Sequence, residues 1–321
     1  MPPTLRARNE SGPSAGAMTA FLIRRLLRFV VVCFGVSLVT FAILHASGDP
    51  VSLIMPEAPE ADRVKLREAL GLTDSIPTQF IRFVTHAARG DFGKSFFHRE
   101  PAFKLVIERM PTTLTLAALA VVLALAVAFP VGIYGAVRRN TLVDHAATAV
   151  VFLGQSMPVF WIGIMLMLLF AVQWRLLPVS GWDSWSAMVL PSVTLGAFTT
   201  PLFMRIIRAS MLEVINLDYV RTARAKGVSE WLVICRHALR NAALPIVTVI
   251  GLQVGVLLAG AVLTETVFAV PGVGRLLVRS IVQLDFPIVQ AGVFLLAMII
   301  VIVNLLVDVL YVYLNPTIRL R

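Results

Sequence analysis

The sequence predicts an all-α polytopic membrane protein with six transmembrane helices and a helical insertion outside the membrane after the first. Three observations carry this. Hydrophobic residues make up 58% of the chain and charged residues 14%, against roughly 25% charged in soluble domains, too few to cover a soluble surface. Six stretches free of Asp, Glu, Lys and Arg are each long enough for a bilayer core, which takes about 20 helical residues. The Lys and Arg residues between those stretches are unevenly shared between alternate connections.

Residues 1–28 form a tail that is Pro/Ser/Gly-rich, and so unstructured, to about residue 17. Met18 is an alternative start. Arg24 and Arg25 read as positive-inside anchoring rather than a twin-arginine signal. Span 1 is Phe29–Gly48, too long for a signal-peptide core. Residues 49–110 follow with nine Lys/Arg and nine Asp/Glu. Long translocated segments escape the charge rule, so this stretch is placed outside. Its ADRVKLREALGL and TQFIRFVTHAARG repeats of polarity are amphipathic helices. The core, residues 111–308, holds the runs Pro111–Val137, His145–Trp174, Ser184–Met204, Asn241–Thr264 and Phe286–Val307, with a cytoplasmic loop over 205–240. Residues 309–321 are the C-terminal tail. Backbone groups in lipid must bond within their own segment, so the spans are helices.

Pro130, Pro158, Pro191 and Pro201 fall inside spans. They are ordinary bends or a hinge beside a translocation path. Gly251 and Gly255, in GLQVG, suit close helix packing, within the chain or against another subunit. Sixteen Lys/Arg lie in the tails and in the second and fourth connections, while the third and fifth hold only Arg175, Arg275 and Arg279. Both termini are therefore expected in the cytoplasm. With six acids on that side, the whole net charge of +10 is cytoplasmic, and outside 12 bases balance 12 acids. The excess records orientation and calls for no nucleic acid.

Sequence chemistry predicts no catalytic, cofactor or metal site. The five histidines are scattered, and Cys33 and Cys235 have neither disulfide nor metal-ligand spacing. LGQSMP around Ser156 has Pro158 where a nucleophile elbow wants glycine, which argues against a membrane-embedded enzyme. ARGDFGKS (Ala88–Ser95) imitates a phosphate loop but follows an amphipathic segment instead of a buried strand. No span carries a charge at its middle, which weakens an ion-coupled secondary transporter. Energy for uphill transport then has to come from a partner.

The loop over 205–240 carries the most information. Thr222-Ala223-Arg224-Ala225-Lys226 and then Gly227 read as a short helix with a glycine end. Its alanines permit a close approach by a partner, and Arg224 and Lys226 are placed to meet acids. Val228, Trp231, Leu232, Cys235, Ala238, Leu239 and Ala242 then mark one helix face. A surface helix lying on anionic lipid has the same pattern.

Leu217–Pro245 resembles the EAA-type loop of ABC importer permeases, and more narrowly that of the dipeptide/oligopeptide permease family. Gly90–Ala117, Met204–Val220 and Thr264–Ala291 resemble other segments of that family, and Gly48-Asp49-Pro50 fits its B-type subunit. The broad pattern's acidic residue falls on Arg221 and its first alanine on Thr222, while Ala223 and Gly227 match directly. The resemblance implies a type I ABC importer fold in the bacterial cytoplasmic membrane. It also implies a second, C-type permease subunit, two ATP-binding subunits and an extracytoplasmic solute-binding protein. Arg221, Thr222, Ala223, Arg224, Ala225, Lys226, Gly227, Ser229 and Glu230 become the expected ATPase-coupling residues. Gly90, Asp91, Phe92, Gly93, Phe268, Pro271, Gly272 and Gly274 become the expected outer gate or binding-protein contact. Peptides are the implied cargo, with nickel complexes or glutathione as alternatives.

Overall fold

A computed structural model describes residues 15–314. The expected disordered tail lies largely outside the described residues, although its last three positions are already helical. The same holds for the end of the C-terminal tail. Helix α1 (Ala15–Ser47) leads into the insertion, formed by α2 (Pro50–Ile54), α3 (Glu60–Ala69) and α4 (Ile76–Ala87). Asp49 caps α2 by accepting from Val51 N at 3.0 Å. Phe80 and Phe83 of α4 pack on Phe41 of α1 with ring centroids 5.2 and 6.2 Å away, which seats the insertion on the first span.

The core follows as α5 (Ala102–Val137), α6 (Leu142–Ser156), α7 (Val159–Leu166), α8 (Trp185–Val214), α9 (Asp218–Ala225), α10 (Glu230–Leu232), α11 (Leu239–Val267), α12 (Val273–Val282) and α13 (Phe286–Leu314). A π-helical stretch, Met167–Gln173, extends α7, and another, Val233–Ala238, joins α10 to α11. Among the described residues, five helices are long and apolar enough to span a membrane. A pair, Leu142–Ser156 and Val159–Gln173, bent by 107°, brings the number to six when counted as one broken span. The expected run His145–Trp174 is therefore broken at Met157–Pro158, at one of the four prolines expected to bend or hinge a span. Pro158 has no N–H to continue the ladder and forces extended backbone on Met157, whose φ and ψ are −113° and 146°. Pro130, Pro191 and Pro201 lie inside unbroken helices.

Helix α8 is the central element, packed between α5, α6, α7 and α11. Lipid supplies no hydrophobic drive for helices to associate, so close backbone approach does much of the work. A Cβ on Gly132 of α5 would lie 2.9 Å from Met204 O, and one on Gly196 of α8 would lie 2.9 Å from Ala120 O. The α5–α8 contact closes only with glycine at both places. Gly251 and Gly255 face Val307 and Ile300 of α13, so the small-residue pair serves packing within this chain. At the outer side, Ala269 (φ 55°) and Leu284 (φ 53°) reverse the chain at either end of α12.

Within the expected cytoplasmic loop 205–240, helix α8 runs on to Val214 and the next helix begins at Glu230. The apolar stripe begins differently from expectation, with Val233, Ala238 and Ala242 buried while Trp231 is 74% exposed and Leu232 46% exposed. The π turn inserts a residue relative to α-helical spacing, which rotates everything upstream of it out of the α-helical register.

Candidate functional site

The first candidate surface is α9. Asp218 in its first turn and Arg224 in its last suit the helix dipole. The helix ends when Lys226 N donates to Thr222 O (3.1 Å), Gly227 N to Arg224 O (3.0 Å) and Val228 N to Ala223 O (3.3 Å). Gly227 has φ 75°, the left-handed conformation that favours glycine. Val220 and Ala223 are buried against Val233, with Val214 and Val228 beside them. This small core pins α9 to the ends of α8 and of the helix entering α11.

The nine expected coupling residues therefore divide. Arg221, Thr222, Ala225, Lys226 and Gly227 are exposed. Ala223 points into its own chain's core, because it shares a face with Val220. Arg224 is held from within, its Nη2 and Nε donating to Glu230 Oε1 (2.7 Å) and Oε2 (3.1 Å). Arg224 and Glu230 thus pair across the loop while both stay exposed, as does Ser229. Ser229 precedes α10 and its carbonyl accepts from Val233 N at 3.0 Å.

Between α5, α6 and α8 lies a cluster that sequence reasoning missed. Asp144 of α6 is 2% exposed. Its Oδ2 accepts from Arg208 Nη2 of α8 at 2.8 Å and from Asn140 N at 3.1 Å. A Cβ on Gly135 of α5 would meet Asp144 Oδ1 at 2.6 Å. Three helices are thus clamped two turns before the end of α8. The signal was present as Thr-x-x-Asp at 141–144, a helix-start pattern, and Thr141 Oγ1 does accept from Asp144 N at 3.2 Å.

The second candidate surface is the outer face. Gly90, Asp91 and Gly93 are exposed, and Phe92 is buried in a core with Val106, Leu277 and Leu295. Asp91 and Gly93 border a 340 Å³ cavity between the insertion and α13. The Gly93 N–H, donating at 2.9 Å, and then His86 hold the Asp91 carboxyl below its usual range. Asp285 latches this segment, its carboxylate accepting from Ser95 Oγ (2.5 Å) and Phe96 N (3.1 Å). The N–H groups of Gly93 and Phe96 thus go to Asp91 and Asp285, so the phosphate-loop look-alike is a turn closed by carboxylates.

Phe268, Gly272 and Gly274 are buried, and Pro271 is half-buried. Phe268 packs with Ala171 and Leu190. The two glycines make room for Glu265, whose carboxylate any Cβ there would strike. Glu265, fully buried, accepts from Thr113 Oγ1 (2.6 Å), Arg275 N (3.0 Å) and Gly274 N. Thr113 Oγ1 in turn accepts from Val273 N at 2.9 Å. This network closes the N-terminus of α12 and ties α5, α11 and α12 together. The Pro-Gly-x-Gly segment therefore forms a socket for an acid.

Residues 128–320 match the family described as Binding-protein-dependent transport system inner membrane component, and residues 18–117 match its N-terminal counterpart. The dipeptide transport system permease protein DppB of Escherichia coli (strain K12) is 42% identical, over 94% of this chain and 99% of its own. The glutathione transport system permease protein GsiC of Salmonella paratyphi A is 41% identical, over 95% of this chain and all of its own. Among solved structures, the inward-facing MetNI methionine ABC transporter aligns with TM-score 0.53 at 17% identity, over 66% of this chain and 96% of that one. That likeness speaks to the fold alone.

Proposed function

The chain belongs to the family of binding-protein-dependent transport system inner membrane components, and from that premise we propose that it is the B-type permease of an ABC importer for peptides. The end-to-end similarity to a dipeptide permease carries this reading. A C-type permease completes the pathway, two ATP-binding subunits drive it from the cytoplasm, and an extracytoplasmic binding protein delivers the solute. Both termini lie in the cytoplasm, as the Lys/Arg distribution favours.

The exposed side of α9, with Arg221, Thr222, Ala225, Lys226 and Gly227, seats in a groove of an ATP-binding subunit. Closure of the ATPase pair on ATP pushes α9. The push passes through the Val220–Ala223–Val233 core and the Arg224–Glu230 pair into α8 and α11. The Asp144–Arg208 clamp carries it to α5 and α6. Transport requires two packings of these helices whose balance the nucleotide state shifts.

Gly227 supplies the test. No heavy atom lies within 4 Å of a Cβ placed there, so a side chain points outward, at a backbone penalty of about 1 kcal/mol. Gly227→Glu is expected to reach the membrane normally and to abolish ATP-driven peptide uptake. Gly227→Ala, with the same backbone strain and no charge, is expected to retain uptake. Normal uptake by Gly227→Glu at normal expression overturns the coupling assignment. Glutathione is the second cargo reading, favoured by the similarity to GsiC. Thermal shift of the partner binding protein against peptides and glutathione separates the two.

A further inference from the structure

Helices α1 and α13 pack side by side but leave a groove of 580 Å³ between them. With the termini in the cytoplasm, as proposed above, this groove opens at the cytoplasmic side. Arg25, Arg28 and Asn304 stand at its mouth, and Phe29, Val32, Val301 and Ile302 form its deeper walls. The first span begins at Ile23 and the last one ends at Val307. At 1.5 Å of rise per residue, the polar residues sit about 3–8 Å inside those ends and the apolar ones about 8–14 Å. The groove thus turns from polar to apolar over about 10 Å along the helices.

Two of its polar side chains are unmatched. Among the described residues, Arg28 and Asn304 make no side-chain hydrogen bond or ion pair, and no acidic residue lines the groove. A guanidinium stays charged at any working pH. Arg28 is exposed, and its long stem lets it reach the headgroups by itself. Asn304 is short and half-buried, and an amide without a partner at this depth costs free energy. An occupant therefore has to bring oxygens to the level of Asn304 and Arg28, with hydrocarbon below them.

A phospholipid has that order built in, with phosphate and ester oxygens above the acyl chains. The cytoplasmic leaflet supplies anionic lipids, which attract basic residues at its surface. A helix of the second permease subunit has no such gradient along its length. To meet Arg28 it would have to carry its own carboxylate into the bilayer, an expensive placement. We propose that the α1–α13 groove binds one anionic phospholipid of the cytoplasmic leaflet. Its phosphate meets Arg25 and Arg28, its ester oxygens accept from Asn304, and an acyl chain lies against Val32 and Ile302. The lipid fastens the first span, which packs chiefly on α13, to the permease core.

The test uses the assembled importer in phosphatidylcholine nanodiscs doped with diazirine-tagged phosphatidylglycerol. Diazirine-tagged phosphatidylcholine at the same mole fraction is the comparison. After photolysis, labelled peptides of this chain are mapped by mass spectrometry. Each arginine beside an anionic lipid gives about a fivefold preference. Phosphatidylglycerol is therefore expected to label segments 29–32 and 301–305 about 25-fold more than phosphatidylcholine. Arg25→Gln with Arg28→Gln is expected to bring the two lipids level, and the matching Lys pair to keep most of the preference. Ile302→Trp keeps both arginines but fills the groove, and it is expected to remove the preference at these segments. Equal labelling by the two lipids in the wild type overturns the proposal, and so does a preference that survives Ile302→Trp. Capture of the second permease subunit by benzoylphenylalanine placed at position 302 also overturns it, since that subunit then fills the groove. A complex that shows the preference but imports no peptide supports this site and fails at the importer reading alone.

Discussion

Replacing Asp285 with alanine is expected to undock the outer turn while leaving the membrane core intact. The carboxylate joins segments 190 residues apart in sequence through Ser95 Oγ at 2.5 Å and Phe96 N at 3.1 Å. Hydrogen bonds to charged groups each contribute about 1.5–3 kcal/mol, so their joint loss reaches about 3–6 kcal/mol. Phe96 is only half-buried, and water reaching it brings the figure to about 3 kcal/mol. At about 1.4 kcal/mol per factor of ten, local opening becomes roughly 100-fold more frequent. Amide hydrogen exchange of the importer in nanodiscs reads this directly. The amides of Ser95, Phe96, His98 and Ala102, all hydrogen-bonded in or beside this turn, are expected to lose protection. Those of α8 serve as the internal control. Asp285→Asn retains one acceptor and is expected to fall between alanine and wild type. The reasoning fails if the alanine variant changes protection in this turn by less than about tenfold, or if α8 loses protection to the same degree.

Other outcomes follow from the same geometry. Gly132→Val drives a side chain onto the Met204 carbonyl and is expected to cost 1–3 kcal/mol or more, about the price of overpacking a core. Gly35→Val, where nothing lies within 4 Å, is expected to be silent, and thermal aggregation in detergent compares the two. Arg208→Gln strands Asp144 without its cation and is expected to destabilise by about 3 kcal/mol. Adding Asp144→Asn is expected to recover part of that in the same assay, the mark of a coupled pair. Asp91 has its carboxyl held below the usual range by Gly93 N–H and His86. Its contribution is therefore full above the ordinary carboxylate pKa and lost as pH falls through the lowered one. Gly93 amide protection, corrected for intrinsic exchange, is expected to stay level from neutral pH down to about 5 and to drop below about 4, and Asp91→Asn is expected to abolish that dependence.

Much of this fold was legible because bilayer thickness and backbone satisfaction leave few choices for a long apolar run. The amphipathic helices of the insertion were legible for the related reason that one side meets water. Hydropathy does not report where a span breaks. Met157 and Pro158 lie in an apolar run that reads as continuous, and the 107° bend there depends on one missing N–H and the backbone of one residue. The π turn at Val233–Ala238 is equally silent in composition, yet it decides that Val233 is buried and Trp231 exposed. In the candidate sites, Gly227 was legible because a glycine after a short helix has one common use. The internal contact of Ala223 was not legible, because an alanine suits a partner's surface and an internal contact equally well. Glu265 and Asp285 were missed as structural residues because their partners, Thr113 and Ser95, come from distant parts of the chain.

The positions of the buried acids bear on how the protein is powered. An ion-coupled carrier needs carboxylates that exchange protons or cations while helices move, so their lone pairs must meet a path and give up partners. Here Glu265 accepts from three donors in a socket that admits no Cβ. Asp144 is held by Arg208 and a backbone N–H at the opposite end of the core. Asp285, the third buried acid among the described residues, is held by Ser95 Oγ and Phe96 N. All three accept from fixed donors, and none lies at the middle of a long helix. Carboxylates committed in this way are poorly placed to exchange protons or cations, which favours the proposed drive through α9 by ATP-binding partners over a gradient.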